Sequence, residues 1–409
     1  MHKLIRVTTL PISMEKLLEN QLDFMKSHFD ITAIACSESE GTFLEKYGQQ
    51  VGMKTFPIEF TRAITPFQDL KAILKLYKFL KKEQPTIIHS HTPKAGMVSM
   101  LAAKLANVPI RLHTVAGLPL EEANGIKKLL LKTIEKVTYA ASTKVLPNST
   151  GLKDTLLQLN LCRESKIKMI GKGSSNGINT SYFDPKIVDV NEVEKLKKEL
   201  GLKGEETILI YIGRLVKDKG VNELINSFDD ISKSNPSCRL LLLGYYEQER
   251  DPLEENTLRI INENPAIIEC GFIKDIRPYL MLSSLLVFPS YREGFPNVVL
   301  QAAAMQLPAI VTDINGCNEI IQNNHNGLVI PKKNLEALKE AILYLIKNKS
   351  VLEDMKLSTR NFIQENFNRG IIWKELLNMY TSEIKTYHEK QENSNSWYWW
   401  LCKRSALFD

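Results

Sequence analysis

Apolar and polar positions along this 409-residue chain alternate between short apolar runs and longer amphipathic stretches. In the first half the runs "LIRVTTL", "DITAIAC", "TIIHSH", "IRLHTVA" and "KVLPNS" have strand length, and helical spacing is expected near 14–28, 67–82, 94–106 and 125–141. In the second half "TILIYIGR", "CRLLLLG", "IIECGF", "LLVFPS", "PAIVTD" and "GLVIP" are separated by helices expected near 220–234, 253–263, 276–284, 297–305, 317–322 and 334–347. Strands alternating with helices build parallel sheets covered on both faces. The expected fold class is therefore α/β, with two Rossmann-like doubly wound domains facing a cleft. Chain length points the same way, since one hydrophobic core seldom serves so many residues. A stretch rich in Gly, Ser and Asn, "GKGSSNGINTSYFDP" (171–185), marks the join. The expected layout is a first domain at 1–173, a linker at 174–185 and a second domain at 186–366. A helix at 367–390 and a tail at 391–409 follow.

Composition narrows the class of protein. No apolar run approaches the ~20 residues of a membrane-spanning helix. The opening "MHKLIRVTTLPIS" reads as a strand rather than a signal peptide. Six cysteines, at 36, 162, 238, 270, 317 and 402, form no CxxC pair, which argues against a zinc site or disulfide framework and for a reducing, cytoplasmic setting. The net charge of +6 is unevenly spread: residues 1–173 hold 25 Lys/Arg against 15 Asp/Glu, and residues 174–409 hold 28 against 32. An anionic partner is thus expected for the first half only. Within it, "FQDLKAILKLYKFLKK" (67–82) places Phe67, Leu70, Ile73, Leu74, Tyr77 and Leu80 on one helical stripe, with Lys71, Lys75, Lys78 and Lys82 on another. Such a helix either lies on an anionic membrane surface or packs on a sheet with its lysines in water. The tail "NSNSWYWWLCKRSALFD" joins three Trp and a Tyr to two cations, as interfacial anchors do, and a packed or disordered tail is the other reading. No motif supports nucleic-acid binding.

The candidate chemistry sits at two strand ends of the second half. "YIGRLVKDKG" (211–220) closes one strand and opens a helix, with Arg214 and Lys219 flanking the turn. A guanidinium fork and an ammonium beside a helix N-terminus can clamp a diphosphate, or the two cations can simply pair with surface carboxylates. "PSYREGFPNVVLQAAAMQLPAIVTDINGCNEII" (289–321) is a strand end, a turn, a helix and another strand. Pro296 suits the first helical position, which leaves the amides from Phe295 to Val298 available to an anion. Glu293, just before that helix, can accept bonds from sugar hydroxyls or merely complement the helix dipole. Gln301 lies about one turn inside, within reach of a ribose.

These two segments together resemble the retaining, nucleotide-sugar-dependent glycosyltransferases of family four, which have the GT-B fold. "SSNGINTSYFDP" is similar to that family's interdomain segment, and "IIHSHTPKAGMVSMLAAKLANVPIRLHTVAGLP" and "VLPNST" extend the likeness into the first half. The resemblance implies a C-terminal helix crossing back to the first domain. It also implies that Arg214 and Lys219 hold the donor diphosphate, and that Glu293, the first Glu of a Glu-x7-Glu motif, contacts the donor sugar. Gly294, Phe295, Pro296, Asn297 and Val298 would cover sugar and diphosphate, and Gly271, Phe272 and Ile273 would border the base. Gln301 stands where the family's second Glu usually is, and its amide can still bond a ribose hydroxyl. Glu319 is expected to start a helix rather than catalyse. In the first half, His91, Lys94 and His113 are candidates for the acceptor side. Ala116 occupies the place of a His in many relatives, and "TLPISMEK" replaces the usual Gly-Gly loop.

The mechanism implied is transfer with retention, the departing phosphate taking the acceptor hydroxyl's proton. No Asp-x-Asp metal motif follows a strand, so no metal and no cofactor is expected, and Arg214 and Lys219 are expected to act as the electrophile. By family likeness the donor is a UDP-sugar and the acceptor a polyprenyl-diphosphate-linked sugar in capsule, lipopolysaccharide or related surface-glycan synthesis. That reading places the chain peripherally at the inner face of the cytoplasmic membrane. The rivals are a GT-B sugar-nucleotide epimerase, a phosphorylase, or a non-catalytic two-domain sugar-binding protein.

Overall fold

The computed structural model describes residues 1–37, 43–61, 65–121, 123–247, 249 and 251–405, with side chains to residue 392. The chain divides into two compact units. The first comprises 1–148, 152–170 and 372–409, and the second 149–151 and 171–371. The side chains of the Trp-rich tail lie outside the described residues.

Unit 1 is a six-stranded parallel sheet in the order β3-β2-β1-β4-β5-β6. Its strands are β1 (Lys3–Val7), β2 (Asp30–Ala35), β3 (Lys54–Pro57), β4 (Ile87–His91), β5 (Ile110–Val115) and β6 (Lys144–Pro147). Alternation along β1 shows how both faces are used. Ile5 and Val7 enter a core with Leu76, Leu80 and Val98, from helices Pro66–Glu83 and Pro93–Leu105. Leu4 enters another with Met25, Phe29 and Leu376, Met379 and Tyr380 of the last helix, Arg369–Ser405. That helix begins in unit 2 and, from Ile372, belongs to unit 1.

Unit 2 repeats the topology as β12-β11-β10-β7-β8-β9. Its strands are β7 (Thr207–Ile212), β8 (Cys238–Leu243), β9 (Ile267–Gly271), β10 (Leu285–Phe288), β11 (Ala309–Thr312) and β12 (Gly327–Ile330). The central strands are apolar on both faces and buried nearly throughout, as strands covered on two sides must be.

Several elements differ from the pattern reading. The stretch expected as one helix near 14–28 is two, Pro11–Leu18 and Gln21–Met25, because Asn20 adopts the left-handed conformation (φ 57°) between them. Edge strand β3 is only four residues long and none of them is buried, so no apolar run announces it. Helix Lys349–Phe367 was missed because its sequence is largely polar. The 174–185 stretch is held within unit 2. Buried Arg360 donates to the carbonyls of Thr180 (2.8 Å) and Phe183 (2.6 Å) and to the Asp184 carboxylate (2.7 Å).

Candidate functional site

In unit 2 the chain leaves β7 towards β8 and leaves the neighbouring β10 towards β11, on the opposite side. The loops after β7 and β10 therefore part and open a crevice at the carboxyl edge, the usual ligand position in such sheets. Arg214 and Lys219 are on the first loop, and Glu293 to Val298 on the second.

Gly220 makes the closeness of these loops possible. Its φ is +69°, and a Cβ there would lie 2.0 Å from the carbonyl oxygen of Pro289. Lys219 Nζ consequently reaches Glu293 Oε1 at 2.5 Å, with both side chains mostly covered. The same carboxylate oxygen accepts from Ser290 Oγ at 3.0 Å. Lys219 is thus paired with a carboxylate and mostly covered. Arg214 is about a third exposed and pairs with Glu247, on the loop after β8, at 2.5 Å. Its backbone is fixed from beneath, where the buried Tyr211 hydroxyl donates to the Arg214 carbonyl at 2.7 Å. Burial pushes Tyr211 well above the ordinary phenol value, and the charges of Glu293 and Asp218 add to the shift. Asp218 accepts from Arg292 (3.2 Å), so the charged knot around 292–293 is tied to the first loop at two points.

Helix Asn297–Ala304 starts one residue later than its proline suggests. Pro296 is the N-cap, with extended backbone, instead of the first helical residue. The amides of Val299 and Leu300 return to the Pro296 carbonyl, and those of Asn297 and Val298 precede any intrahelical acceptor. Phe295 is buried against Phe367, and Asn297 is exposed. Gln301 is half-buried in the second turn of this helix. Gly271 ends β9 and Phe272 and Ile273 follow it, with Phe272 74% exposed. Glu319 is in a helical turn, Cys317–Ile320, and accepts from the Gly316 amide at 3.3 Å, a helix-start role as expected.

The acceptor-side candidates of unit 1 are all covered. Lys94 is locked in a buried pair with Asp69 at 2.7 Å. His113 points under helix Pro93–Leu105. It bonds Ser90 Oγ at 2.9 Å and sits so close to Gly96 that a Cβ there would meet its ring at 2.3 Å, which makes it a packing residue. His91 accepts from Arg6 Nη2 at 2.7 Å, so a neutral ring carries its proton on Nδ1. Arg6 is fully buried and also donates to Gln21 Oε1 (2.8 Å) and Tyr380 Oη (2.9 Å), and Tyr380 Oη lies 2.6 Å from His89 Nδ1. Burial, and then the neighbouring positive groups, lower His89 and His91 well below the ordinary histidine value. Pattern reading missed this network because its members are spread from residue 6 to residue 380. Glu247 and Ser290 were missed because neither stands in a recognisable spacing.

Among the described residues no group of three or more His, Cys, Asp or Glu is placed to hold a metal ion.

Two parallel, doubly wound units with a cationic loop at the second unit's switch point form the GT-B architecture of sugar transferases. A family model described as glycosyl transferases group 1 matches residues 192–362, and a glycosyl transferase 4-like domain matches 24–173. A capsular polysaccharide biosynthesis glycosyltransferase, CapM, of Staphylococcus aureus is 34% identical over 90% of this chain and 94% of its own length. An Escherichia coli enzyme named UDP-Gal:alpha-D-GlcNAc-diphosphoundecaprenol alpha-1,3-galactosyltransferase is 30% identical, over 83% of this chain and 86% of that one. A glycosyltransferase structure from Rickettsia africae superposes with a TM-score of 0.78 at 20% identity, covering 94% of this chain and 99% of that one. The Anabaena protein Alr3699/HepE in complex with UDP gives 0.75 at 17%, covering 93% and 100%. This chain belongs to the family-four glycosyltransferases with the GT-B fold, and is an enzyme of the kind that builds bacterial surface polysaccharides.

Proposed function

We propose that the enzyme moves a sugar from a UDP-sugar to a polyprenyl-diphosphate-linked sugar, with retention and without a metal ion. The observation that carries this reading is Lys219, on the loop after β7, bonded to Glu293 on the loop after β10 just ahead of a helix start, with Arg214 on that same first loop. Arg214 and Lys219 neutralise charge as it builds on the leaving diphosphate, the part a divalent ion plays elsewhere. Glu293, held by Lys219 and Ser290, accepts from donor-sugar hydroxyls and orients the anomeric carbon. The bond from that carbon to the phosphate oxygen breaks. The acceptor hydroxyl then bonds to the same face and passes its proton to the departing phosphate. The UDP donor draws its support from the name of the E. coli relative, and the lipid-linked acceptor from that name and from a Campylobacter jejuni relative, an N,N'-diacetylbacillosaminyl-diphospho-undecaprenol alpha-1,3-N-acetylgalactosaminyltransferase, 29% identical over 82% of this chain and 88% of that one.

A lipid-linked acceptor calls for a membrane surface, and on this reading unit 1 is the part that meets it. In helix Pro66–Glu83 the buried face is Ala72, Leu76 and Leu80, so sheet packing leaves Phe67, Leu70 and Leu74 at least half exposed among the lysines. Helix Gly125–Ala141 exposes Ile126, Leu129 and Leu130 beside Lys127 and Lys128. Phe67, Leu70 and Ile126 to Leu130 lie in the first two turns of helices that follow a strand, hence near the carboxyl edge of the sheet, and Leu74 is one turn further along. No described helix is long and apolar enough to cross a membrane. On this reading the enzyme is peripheral, at the inner face of the cytoplasmic membrane.

The test is a panel of labelled nucleotide sugars offered with polyprenyl-diphosphate-linked sugars, in anionic vesicles and with EDTA present. Transfer from a UDP-sugar with the donor's anomeric configuration retained is expected. An inverted linkage, or activity lost to EDTA and restored by manganese, would overturn the mechanism.

A further inference from the structure

The donor site of unit 2 holds an internal anion that the reading above leaves without a task. Glu247 Oε2 lies 2.5 Å from Arg214 Nη1, in a pair about a quarter to a third exposed. This contact is built into the fold. Gly244, which opens the Glu247 loop, has φ +154°, and a Cβ there would lie 1.8 Å from the Gly213 carbonyl oxygen. The Leu215 amide donates to the Tyr245 carbonyl at 2.9 Å, and the Gly244 amide to the Gly271 carbonyl at 2.8 Å. Residues 244–246 are thereby registered against 213–215, and Glu247 is delivered to the guanidinium.

Charge accounting gives the contact a consequence. Two cations, Arg214 and Lys219, face two carboxylates, Glu247 and Glu293, so the group is neutral before any ligand arrives. The diphosphate of a nucleotide sugar is a dianion. Seating it against Arg214 with Glu247 still in place sets like charges around one guanidinium, at a cost in a partly dry site. Glu293 is the better held of the two carboxylates, since it is only 17% exposed and also bonds Ser290. Glu247 is the one free to yield. Resting on the donor-site reading, we propose that Glu247 is a stand-in for donor phosphate: it occupies Arg214 in the empty enzyme, is displaced when the nucleotide sugar binds, and so sets donor affinity. A tighter grip on the released nucleotide would slow its departure, and the carboxylate keeps that grip in check.

The experiment is calorimetric titration of UDP, with donor KM and kcat, for Glu247→Gln, Glu247→Ala, Arg214→Ala and the double variant Arg214→Ala/Glu247→Gln. An exposed ion pair has a worth corresponding to about three- to fivefold in binding. Both Glu247 variants should therefore lower the UDP Kd and the donor KM together by about that factor. The double variant should match Arg214→Ala. Unchanged or weaker UDP binding in both Glu247 variants would overturn the proposal and make Glu247 a residue that orients Arg214. If Arg214→Ala itself leaves the UDP Kd unchanged, it is the donor site that has been misplaced.

Discussion

The two units share one topology and treat their charged groups in opposite ways. At the carboxyl edge of unit 2, Arg214 and Glu247, on loops, form a pair about a quarter to a third exposed, and Lys219 and Glu293 form a second that is mostly covered. In unit 1, Arg6 is on a strand, fully buried, bonded to Gln21, His91 and Tyr380, and Lys94 is shut in with Asp69. A pair of the first kind as exposed as Arg214–Glu247 can exchange a protein partner for a ligand at small cost. Groups of the second kind cannot, because breaking a buried polar contact leaves a partner unsatisfied. The same residue types are therefore left within reach of a ligand in one unit and used for packing in the other.

The sharpest way to break this comparison is Arg214→Ala. Losing a charge-stabilising group at a leaving group should cut transfer by roughly a hundredfold or more. Thermal unfolding should hardly move, since the side chain is a third exposed. A large fall in melting temperature would place Arg214 with the structural charges of unit 1.

Acid should expose the opposite behaviour in unit 1. Burial depresses His113 from its ordinary 6.5 to about 4. A histidine kept neutral by the fold stabilises it fully above the unfolded value and loses that contribution as pH falls from 6.5 towards 4. The loss at this one residue amounts to at most about 3 kcal/mol. Urea midpoints measured from pH 7 to pH 4 should fall, and fall less steeply in His113→Gln, which cannot ionise. Parallel slopes for the two proteins would remove His113 from the account.

A smaller effect is expected at Glu293→Gln, which keeps the shape and one acceptor. Charge-assisted bonds are about twice as strong as neutral ones, so transfer should drop roughly tenfold while UDP binding persists. Loss of UDP affinity at an unchanged rate constant would show that the roles of Glu293 and Arg214 had been exchanged. The smallest change is expected for Gln301→Glu, which restores the family's usual residue at a half-buried position and should alter donor KM by no more than about twofold.

Much of this was legible along the chain. Apolar runs flanked by helical spacing mark eleven of the strands, and with the chain length and the Gly-, Ser- and Asn-rich join they give the reading of two doubly wound units. Arg214, Lys219 and Glu293 could be singled out because strand ends and helix starts are local features, carried by "YIGRLVKDKG" and "PSYREGFPNVV". Local spacing could not tell which groups would be partners. Glu247 meets Arg214 from 33 positions away, and Lys219 meets Glu293 from 74. Tyr380 reaches Arg6 across 374, only because the last helix folds onto the first strand's sheet. Nor could the stripe in helix Pro66–Glu83 show which side was buried: Leu76 and Leu80 are, while Phe67 is 85% exposed. The sequence by itself determined the strands, the helices and the cationic turns, because short-range periodicity and backbone preference decide those. Only the tertiary structure decided which charges stay exchangeable and which are sealed, because burial and pairing depend on neighbours that the chain brings from far away.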